Sequence, residues 1–298
     1  MKVIIFLFFI QLGFSKTGLP GFNSWSSVTR ISMAGAGYLA LSPNSLLRNP
    51  GIELPNNLFT ASFVKYPSDI HSNSVSLSFK KNNFQNILCI KHIDYGLFEG
   101  YDEKSILTNN YTSNDTWINF CLNKKSKNSY LSYGLSGGFF LSKLEDYSLS
   151  AFYASIGLVH EKEESGLLLG LTIENFGLIL TKDYKKTNQL PSNAVLSIKN
   201  KLRYLPLSLY IDFTSSLLPS SQDLFIGGEY LINNSLKFNM GTSTRKFSQS
   251  IDQALSKKIF GSSGFGVQFN KGVINIILGS YFYGNSSMIF GSEIYVLF

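Results

Sequence analysis

The sequence predicts an all-β protein, a transmembrane β-barrel of about 14 antiparallel strands with an N-terminal plug-like segment. Beyond residue 56 the side chains alternate with period two, and several such segments reach the 9–11 residues of a tilted membrane strand. Charged residues make up only 15% of the chain, whereas it contains 25 Phe and 16 Tyr, a composition that suits a surface facing lipid. The links between segments alternate between longer and shorter, as in outer-membrane barrels.

The first 15 residues, "MKVIIFLFFIQLGFS", predict a secretory signal peptide. Lys2 is followed by an apolar run from Val3 to Ile10, and the small residues Gly13 and Ser15 precede a plausible cleavage point. The apolar run is too short to cross a bilayer as a helix. No cysteine stands at the cleavage point, so we expect no lipoprotein anchor.

Residues 16–56 do not follow the strand pattern and predict a plug or lid that lies in or under the lumen. The stretch "SSVTRISMAGAGYLALSPNSLLRNPG" is rich in small residues, helical in places, and interrupted at Pro43 and Pro50. Gly35 and Gly37 flank Ala36, a composition that permits close packing.

Residues 57–298 predict the barrel itself. The clearest strand is "LPLSLYIDF", in which Leu207, Leu209 and Ile211 share one face and Tyr210 and Asp212 the other. Fourteen alternating segments are expected near residues 58–65, 74–79, 84–95, 115–122, 130–142, 148–159, 166–180, 193–200, 205–214, 223–231, 235–242, 264–269, 273–283 and 288–298.

The last segment, "GSEIYVLF", is predicted to close the barrel by pairing with the first strand. Phe290, Ile294 and Phe298 lie on a lipid-facing side, with Glu293 on the opposite face. Because a sheet in hydrocarbon must pair all its backbone groups, it survives only if it closes. We also expect this strand to be the one that the barrel-assembly machinery engages.

The surplus of aromatic residues is expected to form girdles at the two membrane interfaces. Tyr281, Phe282 and Tyr283 in "SYFYG" and Tyr101 in "EGYDE" are the candidates.

The charge pattern argues against nucleic acid as a partner. The formal net charge is +7, but the lysines are scattered through turns and form no stripe that would follow phosphates. We therefore expect outer-membrane lipids and other proteins at the cell surface and barrel rim as the partners. The links at 96–114 and 243–263 are the natural contact surfaces, because loops on a rigid barrel carry recognition.

Catalytic motifs are weak. "GLSGG" (Gly134, Ser136, Gly138) matches the nucleophile-elbow pattern but lies within a continuous strand, where small residues allow another segment to approach closely. The three histidines are His71, His92 and His160; His92 is the only one within a strand, and a hydrated lumen or rim position is the expectation.

Metal, phosphate and disulfide signals are also weak. Glu99, Asp102 and Glu103 cluster in a link, but without EF-hand spacing they predict a solvated polar loop. "GSSGFG" lacks the Gly-Lys-Ser/Thr ending of a phosphate loop and predicts a turn into a strand. A bridge between Cys89 and Cys121 is possible, with two unpaired thiols the favoured alternative. We expect no catalytic, cofactor-binding or metal-binding residues.

The N-terminal pattern, an arginine and small residues leading to Asn49-Pro50, resembles the FadL-like outer-membrane barrels. Within them the chain is similar to the PorV/PorQ family, and most to the PorQ branch of the type IX secretion system. The similarity is carried in order by "NNLFTASFVKYPSDIHSNSVSLSF", "IDYGLFEGYDE", "ENFGLILTKDYKKTNQLPSNAVLSIKNKLRYLPLSLYI", "FIGGEYLINNSLKFNMGTSTRK" and "GFGVQFNKGVINIILGSYFY". The chain differs from the family in being compact.

The resemblance implies a non-enzymatic component of that secretion system in the outer membrane of a Gram-negative bacterium, helping to anchor a cell-surface attachment complex for secreted cargo. The alternative is a FadL-like transporter of hydrophobic small molecules, which requires an apolar lumen pocket. A third hypothesis, an outer-membrane lipid hydrolase acting through Ser136, lacks a convincing Ser/His pair.

Overall fold

A computed structural model describes residues 19–42, 48–54, 57–102, 104–126, 130–145, 147–162, 165–181, 189–217, 220–249, 260–283 and 287–298. The signal peptide expected over residues 1–15 lies outside these ranges. Within them the helical elements are short: a 3₁₀ turn at Pro20–Asn23, α1 at Val28–Ser32 and α2 at Lys246–Gln249. No helix in the described part of the chain is long and apolar enough to span a bilayer.

Fourteen antiparallel strands form a single closed barrel, as the sequence predicts. Each strand pairs with its neighbours in the sequence, so the topology is a simple up-and-down meander. The strands are β1 Leu58–Lys65, β2 His71–Lys81, β3 Phe84–Phe98, β4 Tyr111–Lys125, β5 Leu131–Leu144, β6 Tyr147–Lys162, β7 Leu167–Ile179, β8 Asn193–Lys201, β9 Leu207–Leu217, β10 Ser220–Asn233, β11 Leu236–Ser243, β12 Ser263–Lys271, β13 Ile274–Phe282 and β14 Met288–Leu297.

The last strand closes the barrel on the first, which confirms the prediction from "GSEIYVLF". The β1–β14 register runs from Leu58 opposite Leu297 to Lys65 opposite Phe290. Phe290 and Ile294 point outward, whereas Glu293 is only 1% exposed and faces the interior. Closure leaves no unpaired sheet edge, which is the condition for a sheet to cross hydrocarbon.

The outer surface is a continuous apolar band. Large side chains such as Phe59, Leu88, Phe120, Leu171 and Leu278 are exposed on it. Many inward positions carry small or polar residues, as in the buried serine row of β2: Ser72, Ser74, Ser76 and Ser78. Other inward positions, such as Ile87 of β3 and Ile277 of β13, are apolar and pack against the inner segment. A continuous apolar exterior is the pattern of a membrane barrel, since lipid covers it.

The two ends of the barrel differ. At one end, here called the loop end, β3 and β4 are joined through residues 99–110 and β11 and β12 through residues 244–262. At the other, the turn end, β2 and β3 are separated only by residues 82–83 and β12 and β13 only by residues 272–273. Two links are shorter than the predicted segment bounds imply, since those bounds left residues 143–147 and 215–222 between strands. β5 ends at Leu144 and β6 begins at Tyr147, while β9 and β10 are separated only by residues 218–219. In both cases the strands continue into the segments that the composition had suggested were loops.

The expected aromatic girdle at "SYFYG" is also wrong for Tyr281. Its ring lies inside the barrel, 1% exposed, and packs edge-to-face against Trp25 with the ring centroids 4.8 Å apart. The strand parity explains this: Tyr281 follows the inward Gly279, so the tyrosine faces the interior. Tyr101 lies beyond the end of β3, in the link to β4.

Residues 19–42 and 48–54, called the inner segment below, lie inside the barrel. α1 contacts β11, β12, β13 and β14, and all five of its residues are buried. Buried side chains of this segment such as Val28, Ile31 and Leu39 have no exposed surface at all.

Two sets of inward glycines receive the inner segment. A Cβ atom at Gly241 would lie 2.2 Å from the carbonyl oxygen of Met33, and one at Gly264 would lie 2.3 Å from that of Ile31. These glycines are register partners across β10–β14, in the rows Gly227–Gly241–Gly264 and Gly266–Gly279–Gly291. Their missing side chains form a depression in the wall into which α1 and the following turn fit.

The second set faces the Asn49-Pro50 motif across the barrel. Gly134 and Gly157 are register partners on β5 and β6. A Cβ atom at Gly134 would lie 2.0 Å from the Pro50 carbonyl oxygen, and one at Gly157 would lie 2.2 Å from Oδ1 of Asn49. Gly134 of "GLSGG" thus serves close packing, as the sequence predicts.

Candidate functional site

The loop end contains an apolar cleft above the inner segment, called the loop-end cleft below. Its volume is about 310 Å³. The side chains that form most of its wall are aromatic or branched aliphatic: Trp25, Tyr66, Tyr95, Tyr281, Tyr283, Ile70, Ile93 and Ile289. A concave apolar surface of this size with a few polar atoms is the usual form of a small-molecule site.

Trp25 joins the cleft to the inner segment. Its backbone N–H donates to the hydroxyl of Tyr66 at 2.8 Å, and that hydroxyl donates to the Trp25 carbonyl at 2.7 Å. Tyr281 contacts the Trp25 ring on one side and stacks edge-to-face with Tyr283 at 4.9 Å on the other. The aromatic wall is therefore held by defined contacts among its own residues.

A bulge in β3 sets the opposite wall. The β3–β4 register shifts between Asp94 and Leu97, and Gly96 adopts a φ of 92°, a conformation that favours glycine. The bulge turns Tyr95 inward, where its hydroxyl donates to Oδ2 of Asp115 at 2.7 Å. The Tyr95 hydroxyl is therefore already hydrogen-bonded, and its ring contributes an apolar surface to the cleft.

The cleft presents little net charge to a ligand. Burial raises the pKa of the loop residue Tyr66 above its ordinary value and that of Tyr283 to about 12, so both phenols are neutral at physiological pH. Arg245 is the charged residue at its edge, and its Nε lies 2.8 Å from Oδ2 of Asp223. The arrangement therefore favours an uncharged, apolar ligand.

Beneath the cleft, wall carboxylates bind the inner segment. Oε1 of Glu174 accepts hydrogen bonds from the Tyr38 hydroxyl at 3.1 Å and from Asn193 at 2.8 Å, and lies 3.2 Å from Nη1 of Arg48. Arg48 also donates to the carbonyl of Phe22. Oε2 of Glu174 is buried and has no hydrogen-bond partner among the described residues.

Two further carboxylates hold backbone groups. Oδ2 of Asp212 accepts from the N–H groups of Gly37 and Tyr38 at 2.6 and 3.2 Å. Glu293 accepts from the Val28 N–H at 3.1 Å and from the Ser42 hydroxyl at 3.0 Å. Each carboxylate is 1% exposed, so the barrel wall and inner segment are joined by buried, charge-assisted hydrogen bonds.

The residues weighed as catalytic candidates do not come together. Ser136 is buried within β5, on the interior wall. His92 lies between the inward residues Lys91 and Ile93 and so faces outward, where Nδ1 is 2.9 Å from Oγ1 of Thr116. Of the expected lumen or rim position, the lumen was therefore wrong for His92, because the parity of β3 places it on the outer face. His92 is also not the only histidine within a strand, since His71 begins β2 and His160 lies in β6.

The structure also shows where the metal, phosphate-loop and disulfide candidates lie. In the described part of "EGYDEK", Glu99 accepts from Tyr101, and Asp102 accepts from the backbone N–H groups of Lys104 and Ile106. Glu103 lies outside the described residues, and no metal-binding group of three or more acidic, His or Cys residues occurs in the rest. β12 begins at Ser263, so "GSSGFG" is a turn into a strand as predicted. Cys89 and Cys121 are both buried and free, which agrees with the favoured alternative.

The sequence did not identify the cleft or the wall carboxylates as functional residues. Asp212 and Glu293 were visible as isolated acids on the inward face of otherwise apolar strands. That pattern predicts a buried partner, although it does not say which residue supplies one.

Known structures match this architecture closely enough to identify the fold. The toluene transporter TodX of P. putida superposes with a TM-score of 0.55 at 11% identity, covering 91% of this chain and 96% of TodX. A FadL homologue of Pseudomonas aeruginosa gives 0.56 at 9% identity, covering 92% and 98%. No family model and no curated protein matches the sequence. The fold is that of the FadL-like barrels, and the chain is a β-barrel of the Gram-negative outer membrane.

Proposed function

We propose that this outer-membrane barrel is a channel that admits small, uncharged hydrophobic molecules through the loop-end cleft. The observation that carries the proposal is the aromatic wall of the cleft, which the contacts of Trp25, Tyr66 and Tyr281 hold in place above the inner segment. In outer-membrane barrels the longer loops face the outside, so the cleft is the first site that an external solute meets.

Capture in the cleft follows from the hydrophobic effect. Transfer of apolar surface from water gives roughly 25 cal/mol per Å², so burying about 150 Å² of a small hydrocarbon contributes about 4 kcal/mol. Neutral phenols such as Tyr283 offer ring faces and edges without an ionic desolvation cost. TodX, which shares the fold, is named as a monoaromatic hydrocarbon channel, and this supports the same solute class here.

Passage beyond the cleft requires the inner segment to move. Apart from its peptide connection to β1, its attachments are hydrogen bonds to side chains on the wall, such as that from the Gly37 N–H to Asp212 and that from the Val28 N–H to Glu293. The two cysteines of the described strands are free, so no disulfide joins the segment to them. A rearrangement of these bonds opens a route while the strand ladder remains intact.

The test is uptake of labelled toluene by cells of a host without its own hydrocarbon channel. Ile70→Trp fills the cleft from a loop position, and Ile106→Trp adds the same side chain to an exposed loop position outside the cleft. We expect wild type and Ile106→Trp to take up toluene equally, and Ile70→Trp to be slower by about ten-fold, the effect of about 1.4 kcal/mol. Uptake no faster than in empty-vector cells, or equal rates for both variants, would refute the proposal.

A second candidate is the role implied by the PorV/PorQ resemblance, a non-enzymatic anchor in the type IX secretion system. An exposed apolar surface at the end of β3 and on the β3–β4 link favours it: Leu97, Ile106 and Leu107 are each more than half exposed. The link is ordered by the Tyr101–Leu107 bridge and by a hydrogen bond from Thr108 to Gly100. Such a patch at the cell surface suits a protein partner.

This role is tested by affinity purification from solubilised outer membranes of the native bacterium. If it holds, secretion-system proteins are recovered with the tagged wild type and lost with Ile106→Glu/Leu107→Glu. Recovery of the barrel alone would leave the channel as the supported function.

A further inference from the structure

The turn end contains a second, larger cavity of different chemistry. It has a volume of about 610 Å³ and is called the turn-end cavity below. Its floor against the inner segment includes Leu41 and Ile52, but its side walls carry five lysines: Lys80, Lys125, Lys199, Lys201 and Lys237. In an outer-membrane barrel this end faces the periplasm.

Three of the lysines are neutralised by glutamates that line the same cavity. The pairs are Lys80–Glu53 at 2.8 Å, Lys125–Glu161 at 3.0 Å and Lys237–Glu229 at 3.1 Å. Five lysines against three glutamates leave the lining with an excess of two positive charges.

The excess is concentrated on β8. Lys199 and Lys201 share the inward parity of Val195 and Ser197, so both extend from one strand into the cavity. Neither ammonium group has a carboxylate within ion-pair distance among the described residues. The Lys199 ammonium instead lies 5.3 Å from the ring centroid of Tyr210.

Lys199 is half-buried and Lys201 is exposed, and the two like charges repel each other because they face the same cavity. A concave surface with an excess of one sign of charge attracts the opposite ion. Lysine binds phosphate and other oxyanions as a compact point charge. A volume of about 610 Å³ also lies within the range of small-molecule sites.

We infer that the turn-end cavity is a binding site for a small dianion that carries an oxyanion group, held between Lys199 and Lys201. A dianion would neutralise the two excess positive charges of the cavity lining. The other three lysines are already paired with glutamates, so they offer no free positive charge to a more negative ligand. The site is separate from the loop-end cleft and independent of the proposed hydrocarbon channel, so either can fail without the other.

The test uses the full barrel purified in neutral detergent, with inorganic phosphate as the probe and isothermal titration as the measurement. We expect saturable binding at low ionic strength that weakens as salt rises, since exposed charges are screened within about 10 Å at 0.1 M. Lys199→Gln/Lys201→Gln is expected to lower the affinity about ten-fold or more, the loss of about 1.4 kcal/mol. Lys199→Arg/Lys201→Arg, which keeps both charges, is expected to retain binding.

The matched control is Lys81→Gln, an exposed lysine at the same end that does not line the cavity. It is expected to bind phosphate as wild type does. Absence of saturable binding to wild type, or equal affinity in the glutamine double variant and wild type, would overturn the inference. Tighter binding of an oligoglutamate peptide than of phosphate would overturn it too, because the site would then be a protein-docking surface.

Discussion

Oδ2 of Asp212 accepts a hydrogen bond from the backbone N–H of Gly37 at 2.6 Å, across 175 residues of sequence. Asp212 is on β9 and is 1% exposed, so the bond is shielded from water. Gly37 has a φ of 103°, a conformation in which its N–H reaches the carboxylate and which a side chain would strain. The attachment of the inner segment to the wall at this point thus depends both on the backbone conformation of Gly37 and on the buried carboxylate of Asp212.

Replacing Asp212 should loosen the inner segment. Asp212→Ala removes a charged acceptor from two N–H groups, and each bond to a charged group contributes about 1.5–3 kcal/mol. We expect faster proteolysis within residues 19–42 and a lower free energy of unfolding in urea. Asp69→Asn, which removes the charge of a carboxylate that is 86% exposed and keeps a side chain that tolerates its φ of 56°, is the control and should behave as wild type. Equal proteolysis of both variants would contradict this account.

Filling the glycine depression should displace α1. At Gly241 a methyl group would lie 2.2 Å from the Met33 carbonyl oxygen, and overpacking of this kind costs about 1–3 kcal/mol. We expect Gly241→Ala to be destabilised in urea unfolding while the barrel still closes. The control is Gly137→Ala, where the new Cβ would meet its nearest atom at 3.7 Å, an ordinary contact. Equal stability of the two variants would show that the depression is not a packing constraint.

Locking the inner segment should stop uptake. Nδ2 of Asn239 lies 3.3 Å from Oγ of Ser32, so Ser32→Cys/Asn239→Cys brings two thiols together. In a Cys89→Ala/Cys121→Ala background, we expect the oxidised double-cysteine protein to take up little labelled toluene and the reduced protein to recover it. Either single cysteine variant serves as the control. Rapid uptake by the fully oxidised protein would mean that the solute does not pass the inner segment.

Binding in the loop-end cleft should not change with pH across the neutral range. A tyrosine whose folded pKa is raised above its unfolded value of about 10 favours the neutral form. Its stabilising contribution is complete below that unfolded pKa and is lost only as the pH rises through the folded value, about 12 for Tyr283. In an absorbance titration of tyrosine ionisation, the wild type should show a transition near pH 12 that is missing from Tyr283→Phe. Ionisation of Tyr283 near the ordinary tyrosine pKa of about 10 would be inconsistent with a buried cleft wall.

Much of the barrel was predictable because its rule is local. The alternation in "LPLSLYIDF" correctly put Ile211 and Asp212 on opposite faces, and that in "GSEIYVLF" correctly put Ile294 on the lipid side with Glu293 opposite. His92 and Tyr281 were misjudged where residue type, rather than parity, guided the expectation. Polar and aromatic residues occur on both faces of a barrel, so composition alone does not distinguish the faces.

The sequence by itself determined the strand number, the closure of β14 on β1 and the two faces of each strand, because the period of two is a property of the extended backbone. The sites were decided only by the tertiary structure. The lysines of the turn-end cavity look scattered along the chain, and Trp25 is 41 residues from Tyr66. Barrel closure and strand register bring residues from different strands to the same level inside the barrel. The alternation within a single strand does not specify which inward side chains then come into contact.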